Sequence, residues 1–341
     1  MCREREIFLR VYAKALAGAS VQRSSFAKPR VSFLHMVHSG WIFPGPRCPT
    51  LRAHFSFGQV VQPRASLFQK WIDVARATCQ SSHMLSYQHS YHAGNLADVH
   101  KHALLAWVLA YMTAKDKPIS YIETHSGRGL YALDAIEAQK TGEAAAGILR
   151  AGSAFGPDHP YGRVLAQVRA HHGDMAYPGS PMIAAQLLRA QDSLTLAELH
   201  PQEYDALRQV MGGTGATVQR RDGFELAQAI CPPTPRRGVL MIDPSYEVKS
   251  DYTDLPDFIT SIRRKWNVGV IVLWYPVLNA GLHRQMVAQI CADHPDAENY
   301  ETAFPPVREG HRMTGSGLVV INPPWGMAQE AARIDALIRA L

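Results

Sequence analysis

No stretch of this 341-residue chain approaches the roughly 18 consecutive apolar residues that a membrane-spanning helix needs. Its longest apolar runs, "ALLAWVLAYM" (103 to 112) and "VGVIVLWYPVL" (268 to 278), read instead as a buried helix and a buried strand. Cysteine is scarce: Cys2, Cys48, Cys79, Cys231 and Cys291 include no CxxC pair, which excludes a disulfide-stapled scaffold and makes a reducing cytoplasm the expected compartment. The histidines at 89, 92, 100, 102 and 125 form no HxxxH with a third ligand at workable spacing, so no metal is expected. The phosphate-cradling GxGxxG is missing too, which disfavours a dinucleotide. Acids are rare in the first 83 residues, three against 12 Lys+Arg, while the remainder of the chain has a slight acidic excess. The overall net charge of +6 therefore comes from that basic stretch and does not argue for an RNA-gripping body.

Residues 1–83 are punctuated by Ser and Pro and carry no helix or strand period. They read as a basic, disordered extension or an over-extended start, with the working domain running from Met84 to Leu341. From Met84 the pattern alternates. A helix is expected over 96–117, and buried strands over 119–125, 193–199, 216–222, 238–244 and 268–276, with a last run at 315–325. Helical stretches between them predict an α/β, mostly parallel, doubly wound sheet. About 67 residues separate the first two strands where a crossover needs only about 30, so a small helical insertion is expected at about 133–177. "PGSPMIAAQLLRAQ" (178 to 191) then starts a crossover helix, with Ser180 as expected N-cap and Pro181 at the first helical position.

Acids recur where these strands end. "ETHSGRGLY" (123 to 131) sets Glu123 before Gly127 and Gly129, glycines that let a ligand approach the backbone. Glu198 ends the second strand, where a carboxylate can accept both hydroxyls of a ribose. Asp222 and Gly223 end the third, offering an acceptor for an adenine amine and room for close approach. The fourth ends in "MIDPSYEV" (241 to 248). Four successive carboxylates at strand tips are hard to attribute to folding, because each must offset its desolvation with partners.

The Asp-Pro-Ser-Tyr segment suits an exocyclic aromatic amine, whose lone pair is delocalised into its ring. The Asp243 carboxylate and the Pro244 carbonyl can hold its two hydrogens and pull the nitrogen toward a pyramidal, nucleophilic geometry. Proline stiffens that loop. Tyr246 offers a flat face to an unstacked base, worth about 1 to 3 kcal/mol. The electrophile that fits is the sulfonium methyl of S-adenosylmethionine.

The segment from Met84 onward resembles the RlmJ family of bacterial 23S rRNA (adenine-N6) methyltransferases. The resemblance lies in "MLSYQHSYHAGNLADVHKH" (84 to 102), "THSGRGLY" (124 to 131), "YPGSP" (177 to 181), "AELHP" (197 to 201), "DGF" (222 to 224), "LMIDPSYE" (240 to 247), "LWYPV" (273 to 277) and "MTGSGLVVINPPW" (313 to 325). It implies a Rossmann-like class I methyltransferase fold. It also implies that His102, His125, Ser180, Glu198, Asp222, Gly223 and Asp243 contact S-adenosylmethionine, with Asp243 also the catalytic acceptor beside Pro244 and Tyr246. Tyr87, His89 and Lys101 would meet the RNA. By helical spacing alone, Lys101 would be an ordinary solvated lysine. One letter departs from the family pattern: Ser245 stands where proline is usual. The expected partner is 23S rRNA, free or before assembly, met by a monomer in the cytoplasm with no membrane contact. Rival readings are a DNA adenine-N6 or glutamine-N5 methyltransferase, or a ribosome-assembly binder with weakened turnover.

Overall fold

The computed structural model describes residues 89–305 and 312–341. Tyr87 and the 1–83 extension lie outside them. The elements in chain order begin with helix α1 (Leu96–Thr113), strand β1 (Ser120–Glu123) and β2 (Leu130–Ala132). Helices α2 (Ile136–Thr141), α3 (Glu143–Ala146), α4 (Ile148–Ala151) and α5 (Pro160–His172) follow, then β3 (Ala176–Pro178), α6 (Ser180–Leu187) and β4 (Ser193–Ala197). Next come α7 (Pro201–Val210), β5 (Thr217–Gln219), α8 (Gly223–Ile230), β6 (Gly238–Ile242), α9 (Asp251–Lys265) and β7 (Val270–Leu278). The chain closes with α10 (His283–Asp293), β8 (Ala297–Ala303), β9 (Met313–Ile321) and α11 (Met327–Arg339).

Uninterrupted Val, Ile, Leu and Met put the middle strands where both sheet faces are covered: β1 and β6 are buried at every residue. The seven-stranded sheet has the order β5-β4-β1-β6-β7-β9-β8. From β5 to β7 all neighbours are parallel, and β9 is inserted antiparallel between β7 and β8. The chain winds outward from β1 to β5 and then returns to β6, so the order reverses at β1 and a crevice opens beyond the strand carboxyl ends.

Helix α1 is covered almost all round. Leu104, Leu105, Leu109 and Val108 are 0% exposed in the core on one side of the sheet, while α9 and α10 bring Ile259, Ile262 and Ile290 to a second core on the other. Each such leucine cut to alanine would cost about 2 to 5 kcal/mol. Asn95 starts α1 by accepting from the Asp98 amide at 2.9 Å, and the helix stops at Thr113, four residues before the expected end, where "AKDKP" is exposed.

Two short strands absent from the sequence reading, β2 and β3, pair antiparallel as Leu130↔Pro178, Tyr131↔Tyr177 and Ala132↔Ala176. They bracket α2 to α5, so the chain leaves the loop after β1 and returns to it. Ser180 is not the N-cap expected of it. Gly179 holds that position, and the Ser180 hydroxyl turns instead to the Glu123 carboxylate.

Candidate active site

A cavity of about 940 Å³ lies beyond the carboxyl ends of β1, β4, β5 and β6. Every described residue assigned to the site by sequence lines it: His89, Lys101, His102, His125, Ser180, Glu198, Asp222, Gly223, Asp243, Pro244 and Tyr246.

The floor is the loop after β1. Gly127 and Gly129 take left-handed φ angles of +59° and +77°, which L side chains rarely adopt, and so turn the loop across the strand ends. Glu198 locks that turn: its carboxylate accepts from the Gly127 and His200 amides, both at 2.8 Å. Burial raises its pKa, and these two amides restrain the rise. The Ser126 hydroxyl in the same loop is buried against the cavity and finds no partner among the described residues.

Gly223 has a different basis from the one expected. A Cβ there would sit 1.8 Å from the Thr124 carbonyl oxygen, so the glycine is demanded first by the β1 loop packed against it. Asp222 caps α8, accepting from the Glu225 amide at 3.0 Å. His125 meets Phe224 edge-on at 4.9 Å, and burial depresses its pKa.

The segment after β6 carries strain and support together. Tyr246 has φ +56°, unusual for a residue with a side chain. Its hydroxyl donates to the Trp274 carbonyl at 2.7 Å, and its ring packs on Tyr252 at 4.7 Å. Only 8% of Tyr246 is exposed, so the ring is a fixed wall. Trp274 is held through its indole N–H, which donates to Ser316 Oγ at 2.9 Å; that hydroxyl lies 3.0 Å from His100, whose pKa burial pushes down to about 3.

Lys101 corrects the solvated reading. It is 3% exposed, because α1 has no solvent face at that point. Its ammonium donates to Asp243 Oδ2 at 2.7 Å, lies 3.1 Å from Asp98 Oδ1 and sits over the Trp274 ring. His102, also buried, places Nδ1 2.8 Å from the Tyr177 hydroxyl, and burial pushes its pKa down to about 3. His89 Nε2 is 2.9 Å from Asp98 Oδ2.

Two further acids matter: one to which the sequence reading assigned no role, and one counted only among the strand-end carboxylates. Asp98, in α1, is the hub just described. Glu123 ends β1 fully buried, bonded by Tyr121 and Ser180, and burial pushes it up to about 8. Because its folded-state pKa is raised, its contribution to stability is complete below about pH 4.5 and is lost as pH rises through about 8. Glu123→Gln is therefore expected to flatten the decline in thermal midpoint between about pH 4.5 and about pH 8, measured by calorimetry.

The described lining is acidic. Among the described residues it holds Asp98, Glu198, Glu203, Asp222, Asp243, Glu247, Asp251 and Asp254, with Lys101 as its one lysine and no arginine. Burial, then Asp254 and Asp222, push Asp251 up to about 6, a sign of crowded like charge. Among the described residues no cluster of His, Cys, Asp and Glu could hold a metal ion, and no helix is long and apolar enough to cross a membrane.

The reversed sheet with its antiparallel last strand, and an acidic crevice at the switch point, define a Rossmann-like class I methyltransferase. The chain belongs to the family described as ribosomal RNA large subunit methyltransferase D, RlmJ, whose model matches residues 116–340. It is similar to the ribosomal RNA large subunit methyltransferase J of Escherichia coli, 40% identical over 254 residues, covering 72% of this chain and 90% of that protein. The enzyme of the same name from Haemophilus influenzae is 38% identical over 264 residues, covering 74% and 92%. A crystal structure of a Legionella pneumophila protein superposes with a TM-score of 0.66 at 37% identity, covering 73% of this chain and 92% of that one.

Proposed function

We propose that this protein transfers the methyl group of S-adenosylmethionine to the N6 amine of one adenine in 23S ribosomal RNA. One observation carries the reading: the acidic lining, eight carboxylates against one lysine among the described residues, beside the Asp-Pro-Ser-Tyr segment. A cavity of that sign favours a cation and repels phosphate, which suits a sulfonium donor and an unstacked base, not a dinucleotide. The relatives named as ribosomal RNA methyltransferases support the RNA substrate.

The residues fit the donor. Glu198 keeps a free lone pair on each oxygen beyond its two amide bonds, enough to accept a ribose diol. Asp222 and Gly223 would border the adenine, and His102, His125 and Ser180 would line the rest. When bound, S-adenosylmethionine supplies a methyl group made electrophilic by its sulfonium.

The chain's own groups prepare the amine. Lys101 occupies Asp243 Oδ2, and no donor among the described residues reaches Oδ1. Oδ1 and the Pro244 carbonyl accept the two amine hydrogens, and the surplus proton leaves through Oδ1 to solvent. Tyr246 and Trp274 give the base its flat walls. Tyr87 and His89 meet the RNA; Lys101, clamped between two carboxylates, serves Asp243 and not a phosphate.

A base can enter only if it is unstacked, so the substrate is free or partly assembled rRNA, met by a monomer in the cytoplasm. Labelled methyl should enter protein-free 23S rRNA and not finished large subunits. Label in neither, or only in finished subunits, contradicts the reading. The Ser245 amide donates to no acceptor among the described residues, so proline there gives up only the long bond that Ser245 Oγ accepts from the Glu247 amide at 3.5 Å. Ser245→Pro is expected to match or exceed the native rate and to add about 0.4 to 1 kcal/mol of stability, read from steady-state kinetics and denaturant melts.

A further inference from the structure

Asp98 sits in the first turn of α1, 1% exposed, and both its oxygens meet partners. Oδ2 accepts from the Gly94 amide at 2.9 Å and lies 2.9 Å from His89 Nε2; Oδ1 is 3.1 Å from the Lys101 ammonium. The Gly94 bond alone would make Asp98 a helix-capping acid. The other two do not serve a cap, because they reach side chains that line the cavity. Lys101 lies one turn further along the same helix, and beyond Asp98 its ammonium continues to Asp243 Oδ2 at 2.7 Å. Asp98, Lys101 and Asp243 thus form one unbroken line of charge from the interior of α1 to the segment after β6.

We propose that Asp98 is a positioning residue for methyl transfer: it clamps the Lys101 ammonium against one oxygen of Asp243, so that the other oxygen alone faces the target amine. This rests on the role given to Asp243 above. A lysine on a four-carbon stem has many rotamers, and a single carboxylate partner would leave its ammonium free to slide between the two Asp243 oxygens. A second carboxylate behind it removes that freedom. Burial works against the charge on Asp98, yet His89, Lys101 and His102 outweigh it and hold the carboxyl well below its usual range, so the clamp stays charged throughout the neutral region.

Asp98→Asn tests this, since asparagine keeps an acceptor for the Gly94 amide and hence the cap. Its kcat is expected to fall about a hundredfold, the usual penalty for a misplaced reacting group, with KM for S-adenosylmethionine nearly unchanged. In a Lys101→Met background the same change should cost nothing more, because the group it positions is gone. Trace acetylation with mass spectrometry provides a readout that needs no substrate and no second variant: Lys101 should be protected in the native protein and reactive in Asp98→Asn. Protection retained in the variant, or losses that multiply in the double variant, would overturn the proposal. If the native protein methylates no rRNA, the functional reading fails, while the acetylation pattern still decides whether Asp98 holds Lys101.

Discussion

Asp243→Ala is expected to lower methyl transfer by about a thousandfold while leaving a folded protein. The loss is large because the carboxylate acts on the amine only as its lone pair is drawn out toward the methyl carbon, an interaction stronger in the transition state than before it. Folding should survive. Asp243 is partly exposed, with 14% of its side chain accessible, and Lys101 keeps Asp98 as a partner, so no buried charge is stranded. Asparagine at the same place keeps one acceptor and should lose less. Rates from single-turnover assays, with circular dichroism melts as the control, check both; full activity in Asp243→Ala would remove it from the chemistry.

Gly223→Ala is expected to damage the site from the opposite side. The added methyl would stand 1.8 Å from the Thr124 carbonyl oxygen and 2.4 Å from its carbon, and neither can rotate away, since both belong to the backbone. Thr124 cannot retreat freely either, because its amide donates to the Met241 carbonyl at 3.1 Å, tying the β1 loop to the end of β6. Relief must come from α8 moving off, which takes Asp222 with it. The expected cost is about 3 kcal/mol, the upper end for overpacking, or a fall of several degrees in thermal midpoint. Affinity for the cofactor should drop by about tenfold with it, measured by calorimetric titration. An unchanged melt and unchanged affinity would show that the loop and α8 are looser than their packing implies.

Much of this was legible in the sequence, for physical reasons that differ residue by residue. The parallel strands announce themselves because burial on both faces demands unbroken apolar runs, and the acids that end β4 and β6 stand out against those runs. Strand β8, "AENYETA", does not, because it is an edge strand with only Tyr300 and Thr302 buried. The β2 and β3 pair is three residues long on each side, too short for any period to show. Lys101 misled because helical spacing separates core from solvent only when a helix has a solvent face, and α1 is covered around it. Gly223 was seen as a place of close approach, but the nearest neighbour is the protein's own backbone. Asp98 was invisible as a hub because its partners come from two directions, the segment before α1 and the helix itself, and no spacing rule joins a buried carboxylate to a second carboxylate across a shared ammonium.

The most direct test is nucleoside mass spectrometry of protein-free 23S rRNA after incubation with the native protein and S-adenosylmethionine. N6-methyladenosine should appear at a single adenine, and should be nearly absent from the same reaction with Asp243→Ala. Methyl groups on another base, or an undiminished N6-methyladenosine signal from the variant, would contradict the assignment of this pocket and of Asp243 at its centre.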